Sequence, residues 1–282
     1  MIGSMKRKNR AVHATIHVIM IITCLLFLIP ILYTVSVSLS GSNSLVSSAF
    51  SLIPKDATFD NYKAIVCDKP FFTWLKNSLL LTVSTVIFAL AISSPAAYAY
   101  SRFRFSGRNG TMYVFLLLNA FPAVLSMVAV YRLFRLLGLM DTYAGLIIVY
   151  TGSMIIFGIW NLKGYFDTIP VEIEHAAMLE GAGDLTILTK IVLPLARPAL
   201  IVTGMMVFIT SWNEYIYAVN FLTSSEHFTL AAGLYSLQGT EYTRNWPVFA
   251  SGALLVSLPV LVIFFAIQKY LVSGLTAGGV KY

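Results

Sequence analysis

Residues 75–110 read LKNSLLLTVSTVIFALAISSPAAYAY followed by SRFRFSGRNG. The first 26 residues carry one charged side chain, Lys76, at their start, and the next ten carry three arginines and no acid. A helix of about 20 mostly apolar residues crosses the hydrocarbon core of a bilayer. Residues 75–100 therefore predict a membrane-spanning helix that ends at a cationic, water-facing loop. The block lacks the apolar/polar alternation that a transmembrane β-strand needs, so a β-barrel is excluded.

Five more blocks of this kind follow the same pattern, over residues 14–39, 111–131, 143–162, 199–222 and 248–271. Pro30, Pro95, Pro122 and Pro259 fall inside four of the six. Membrane helices tolerate proline where neighbours satisfy the freed carbonyls, and they usually kink there. The expectation is an all-α polytopic membrane protein with six transmembrane helices and a single domain over residues 1–282. Composition agrees: the chain is 58% hydrophobic and 11% charged, against about 25% charged in soluble domains. The net charge of +7 does not indicate nucleic acid, because the cations sit in short clusters beside apolar blocks and form no stripe.

Orientation follows from the cations. With the N-terminus inside, 12 of the 19 Lys and Arg residues fall on inner segments and 7 on outer ones, which places both termini in the cytoplasm. Lys6, Arg7, Lys8 and Arg10 precede an apolar run longer than the core of a secretion signal, so the first helix is read as uncleaved. No GxxxxGK[ST] phosphate loop, HExxH or GxSxG motif occurs. Cys24, Cys67 and four scattered histidines offer no metal-ligand spacing. The chain thus has no visible ATP chemistry, catalytic constellation or metal site of its own.

The most informative stretch is the inner loop of residues 163–198. Lys163-Gly-Tyr-Phe-Asp-Thr-Ile-Pro-Val-Glu-Ile-Glu-His-Ala-Ala-Met-Leu-Glu-Gly-Ala-Gly183 leads to Ile191-Val-Leu-Pro-Leu-Ala-Arg-Pro198. Pro170 suits the first turn of a helix. Glu172 and Glu174 favour the positive end of its dipole, and Gly181 and Gly183 end it. A short helix from about residue 171 to 180 follows, then a turn, then a second helical stretch ending near Pro194. The small residues Ala176, Ala177 and Gly181 would let a partner approach the backbone closely. On physics alone, an ordinary helical hairpin lying on the membrane reads equally well.

This stretch resembles the EAA loop of binding-protein-dependent ATP-binding-cassette (ABC) importer permeases: EAA, three residues, G, about nine residues, then I-x-LP. Ala176, Ala177, Gly181, Ile191, Leu193 and Pro194 stand at the expected spacing. His175 takes the usual glutamate position, with Glu174 beside it. Ser211-Trp-Asn-Glu-Tyr215 resembles a stretch of maltose-type sugar permeases, and Gly274-Leu-Thr-Ala-Gly-Gly-Val-Lys281 resembles the tail of their smaller subunit. The resemblance implies the type I importer permease fold. It implies a second permease subunit, two ATPase subunits holding ATP and Mg, a solute-binding protein outside and a carbohydrate solute. It assigns the loop, and the tail over residues 272–282, to contact with the ATPase.

Asn213, Glu214 and Tyr215 are candidate pathway residues. Glu214 is the one acid well inside an expected helix, where a charge must face a partner or a wet cavity. A purely structural role is the alternative. Rival functions are the same machine for a polyol or glycerol phosphate, an ATP-independent secondary transporter, and a membrane enzyme. No Arg or Lys lies deep in a block to hold a phosphate, and no inverted repeat is detectable.

Overall fold

The computed structural model describes residues 2–42, 54–238 and 245–277. Thirteen helices occur among them: α1 (Ile2–Ser38), α2 (Asp60–Asp68), α3 (Phe71–Arg102), α4 (Arg108–Ala120), α5 (Ala123–Leu136), α6 (Tyr143–Phe166) and α7 (Val171–Leu179). Then come α8 (Asp184–Ile187), a π-helical turn at Leu188–Val192, α9 (Leu193–Leu195), α10 (Arg197–Asn213), α11 (Ile216–Phe221), α12 (Leu230–Ser236) and α13 (Trp246–Ala277). The only extended pairing among the described residues is an isolated bridge between Ser40 and Ala57.

Four helices are long and apolar enough to cross a membrane unaided, within α1, α3, α6 and α13. Pro30, Pro95 and Pro259 sit inside three of them without breaking them. Two bent pairs bring the crossings to as many as six where each pair counts as one span, and two of the expected continuous blocks are divided rather than kinked. Residues 111–131 are not one helix: Phe121 and Pro122 are extended, and the chain turns by 96° there. Residues 199–222 also divide, because α10 ends at Asn213 and α11 starts afresh at Ile216. A further turn of 81° separates α10 from the segment before it.

The chain packs as two units, one drawn from Met1–Lys69 and Leu237–Val256, the other from Pro70–Ser236 and Ser257–Tyr282. In the first, the buried Asn61 amide donates to the carbonyls of Ser38 and Ser40 at 2.9 and 2.8 Å, closing the end of α1. The Ser38 carbonyl, at the end of α1, has no partner within its own helix. The side chains of α1 from Val12 to Leu32 are exposed, Phe27 by 73%, an apolar surface that lipid or another subunit must cover.

In the second unit α3, α6 and α10 pack together at a seam of small residues. A Cβ placed on Gly158 would stand 2.7 Å from Ser93 Oγ, and Asn161 donates to Thr203 Oγ1 across the seam at 2.6 Å. Small side chains are how membrane helices approach closely when lipid supplies no hydrophobic drive. One apolar cluster lies beyond the seam toward the loop after α6, around Tyr98, Leu162, Phe166, Ile187 and Val192. A second lies toward the opposite end, around Leu81, Leu146, Tyr150 and Phe221.

Candidate functional site

The segment after α6 folds as its sequence dictates. Pro170 stands at the N-cap of α7, and Glu172 and Glu174 occupy the first turn. Gly181 adopts φ +88°, with its N–H bonded to Met178 O at 3.0 Å and that of Ala182 to Ala177 O at 3.0 Å. This is a Schellman end, in which a left-handed residue pairs the last carbonyls. Glycine is thus required at 181 by the backbone itself, a reason additional to its small size.

Glu174 is 3% exposed. Its carboxylate accepts from Arg102 Nε at 2.6 Å and Tyr98 OH at 2.9 Å, both on α3. Arg102 also donates to Ile169 O at 3.0 Å and Ser101 Oγ at 3.0 Å. Ser101 donates to Asp167, which pairs with Lys163 at 2.6 Å. Burial works against ionisation of Asp167, yet the bonds from Lys163 and Ser101 outweigh it and hold its carboxyl below the usual range. The ends of α3 and α6 are therefore joined to α7 by one polar network around a buried ion pair.

The other loop residues divide by face. Ala177, Ile191 and Leu193 are half-buried against the same apolar cluster. His175, Ala176, Gly181 and Pro194 are exposed. So are Ile173 and Met178, and Leu179 is 92% exposed. Glu174, grouped from the sequence with the residues that contact the ATPase, points into its own chain. Tyr98 and Arg102 were missed, because the arginine reads from sequence as an orientation marker. Three arginines in one loop carry no sign of which one turns inward.

Glu214 is not in the middle of a helix. It is the first extended residue after α10, and its carboxylate receives Tyr217 N at 2.8 Å, Ala218 N at 3.3 Å and Tyr150 OH at 2.7 Å. These are the free donors of the first turn of α11 plus a buried hydroxyl, so Glu214 caps α11 and ties it to α6. Asn213 is exposed and donates back to Ile209 O at 2.9 Å. Tyr215 is 45% exposed and lies against Tyr235 with ring centroids 5.6 Å apart.

At the far end of this unit Asp141 fastens the loop after α11. It accepts from the backbone of Thr223 at 2.9 Å, from that of Ser224 at 3.1 Å and from the Ser224 hydroxyl. His227 Nδ1 stands 3.2 Å from it, close enough to pair by charge when protonated though not aligned for a hydrogen bond. Burial opposes ionisation, but the Ser224 and Thr223 bonds together hold the Asp141 carboxyl well below the usual range.

Residues 89–277 match the family described as binding-protein-dependent transport system inner membrane component. The chain belongs to this family. The permease is 37% identical to the galactooligosaccharides transport system permease protein GanQ of Bacillus subtilis, over 89% of each chain. It is 33% identical to the maltodextrin transport system permease protein MalD of Streptococcus pneumoniae, over 99% of each. A chain from the crystal structure of a bacterial ABC transporter importing the polysaccharide alginate superposes with a TM-score of 0.78 at 30% identity, covering 94% of the permease and 98% of that chain. The permease is accordingly a multi-pass membrane protein with the ABC importer permease fold.

Proposed function

We propose that the permease forms, with a second related subunit, the pathway of an ATP-driven importer for a carbohydrate, a sugar or oligosaccharide. A solute-binding protein supplies the solute outside, and two separate ATPase subunits hold the ATP and Mg. The whole chain acts as one permease domain, with residues 163–198 as the coupling loop and both termini in the cytoplasm. The tail of residues 272–282 adds a second ATPase contact; residues 278–282 lie outside the described residues.

The observation that carries this reading is the two-sided α7. Its inner face is locked to α3 by Glu174, while His175, Ala176, Met178 and Leu179 face outward. Motion of an ATPase gripping the outer face therefore passes through a buried ion pair into α3 and α6. Packed helices move as bodies rather than deform, so the bundle rocks and the pathway alternates between its two openings. The carbohydrate solute is supported by the sugar transport named in these relatives and by Asn213, Glu214 and Tyr215 beside the break between α10 and α11.

The test is reconstitution of the permease with its partner permease, ATPase and binding protein in liposomes. ATP-dependent uptake of maltotriose or galactotriose is expected. Uptake of either without the ATPase would end the coupled reading, and uptake of neither would end the carbohydrate one.

A further inference from the structure

A cavity of about 390 Å³ opens at the break between α4 and α5, lined in part by Asn119, Phe121, Ser126, Gly152, Ser153 and Tyr217. Its size is within the roughly 300–1,000 Å³ range of small-molecule sites. Asn213 and Glu214 are not part of its lining, although the Tyr217 N–H bonds the Glu214 carboxylate at 2.8 Å, and it belongs wholly to the second unit.

We infer that this cavity, built on the unwound Phe121–Pro122 step, is the surface through which this chain binds a pyranose unit of the carbohydrate solute; the inference rests on the carbohydrate reading above. Three observations converge on it. The first is depth. Ser153 is near the middle of α6, and the break divides the bent α4–α5 pair almost equally. With the α4–α5 pair taken as one broken span, both fall near the centre of the membrane. Irregular backbone is tolerated there only where it is buried in protein or lines a wet cavity.

The second is hydrogen-bonding capacity. A helix leaves its last four carbonyls unpaired within itself, and Pro122 brings no N–H to meet those of α4. Asn119 is exposed, and among the described residues its amide has no partner. An amide offers both a donor and an acceptor, as a ring of hydroxyls requires. Ser153 gives its proton to Tyr150 O at 2.8 Å and keeps its oxygen as an acceptor.

The third is shape. Phe121 is 57% exposed, and with the ring of Tyr217 it offers flat apolar faces for the C–H side of a sugar ring. Gly152 leaves the wall open, since a Cβ there would meet nothing within 4 Å. Discontinuous helices near the midplane are where transporters commonly place their sites.

The experiment uses the complete importer in proteoliposomes with maltotriose and galactotriose as probes. Gly152→Phe, which fills the cavity, and Asn119→Ala should each lower uptake at least tenfold. Subunit assembly and basal ATP hydrolysis should stay at wild-type levels. In a second arm Cys24 and Cys67 are replaced, and Asn119→Cys and Ser153→Cys are treated with a charged, water-soluble thiol reagent. Labelling that slows when transported sugar is present is expected. Wild-type uptake by both cavity variants overturns the assignment while leaving the carbohydrate reading intact. Labelling only by a lipid-soluble reagent overturns it in favour of a lipid-facing groove, and cross-linking to the partner permease irrespective of sugar overturns it in favour of a helix contact. A wild-type importer that carries neither sugar sinks the parent reading, and this assignment with it, before any variant is made.

Discussion

Arg102→Ala should uncouple the importer without unfolding it. The guanidinium is 10% exposed and the Glu174 carboxylate 3% exposed, so the substitution leaves a buried charge holding one hydrogen bond, from Tyr98. Removing one partner of a buried pair costs about 3–5 kcal/mol. The lost bond to Ile169 O adds about 1 kcal/mol. The charge escapes this cost if α7 lifts away, and its nine residues are too few to keep a detached helix folded. At about 1.4 kcal/mol per tenfold, even the lower figure shifts the docked-to-detached equilibrium by about two orders of magnitude. Amide hydrogen exchange over Val171–Leu179 in the assembled importer reads this directly, and protection should fall by about that factor. Sugar uptake should fall with it while ATP hydrolysis persists. Arg102→Met with Glu174→Leu removes both charges together and should recover most of the protection, since apolar replacement of a buried pair is often neutral. Unchanged exchange in Arg102→Ala, or a double variant as damaged as the single one, would refute the lock.

Gly181→Asp should lower ATPase co-purification by more than tenfold, combining a left-handed backbone penalty of about 1–2 kcal/mol with an unpaired carboxylate at the docking face. Gly181→Ala should fall between it and wild type, and normal recovery and uptake in the Asp variant would sink the docking assignment. Glu214→Leu strips the cap from α11 and orphans the buried Tyr150 hydroxyl, about 2–4 kcal/mol together; a thermal midpoint equal to wild type would show the cap to be idle. Asp141 is stabilising above its unfolded pKa of about 4, because its folded value is depressed. That contribution should hold from neutral pH down to about 5 and be lost as pH falls through the folded value. Protease nicking of residues 223–228 should therefore rise only in strong acid, and in Asp141→Asn it should already be raised at pH 7. With Cys24 and Cys67 replaced, an impermeant thiol reagent outside intact cells should label Ser236→Cys and spare Ser106→Cys; the opposite pattern inverts the orientation.

The crossings were legible because hydropathy is a property of composition over 20 residues and needs no partner. Where a crossing breaks was not legible. Four prolines look alike in sequence, yet only Pro122 divides its block, since the outcome depends on which neighbours satisfy the freed carbonyls. Glu214 shows the same limit. Sequence says that an acid in an apolar block needs company, and here the company is the Tyr150 hydroxyl and two backbone N–H groups that are free only because the helix stops. The turns of the segment after α6 were legible, in Pro170 before the helix and Gly181 after it. Its inner fastening was not, because Arg102 and Glu174 are 72 positions apart and no local period links them.

The contact between Gly158 and Ser93 ties the histories of two positions. A methyl group at 158 would stand 2.7 Å from Ser93 Oγ and 2.8 Å from its Cβ, so trimming the serine to alanine makes no room. Gly158→Ala becomes admissible only once position 93 has itself become glycine, and each change alone is a step downhill: the first by collision, the second by loosening a helix interior. The pair should therefore drift together or stand still, and among descendants of this chain the two sites should covary even where the solute carried has changed.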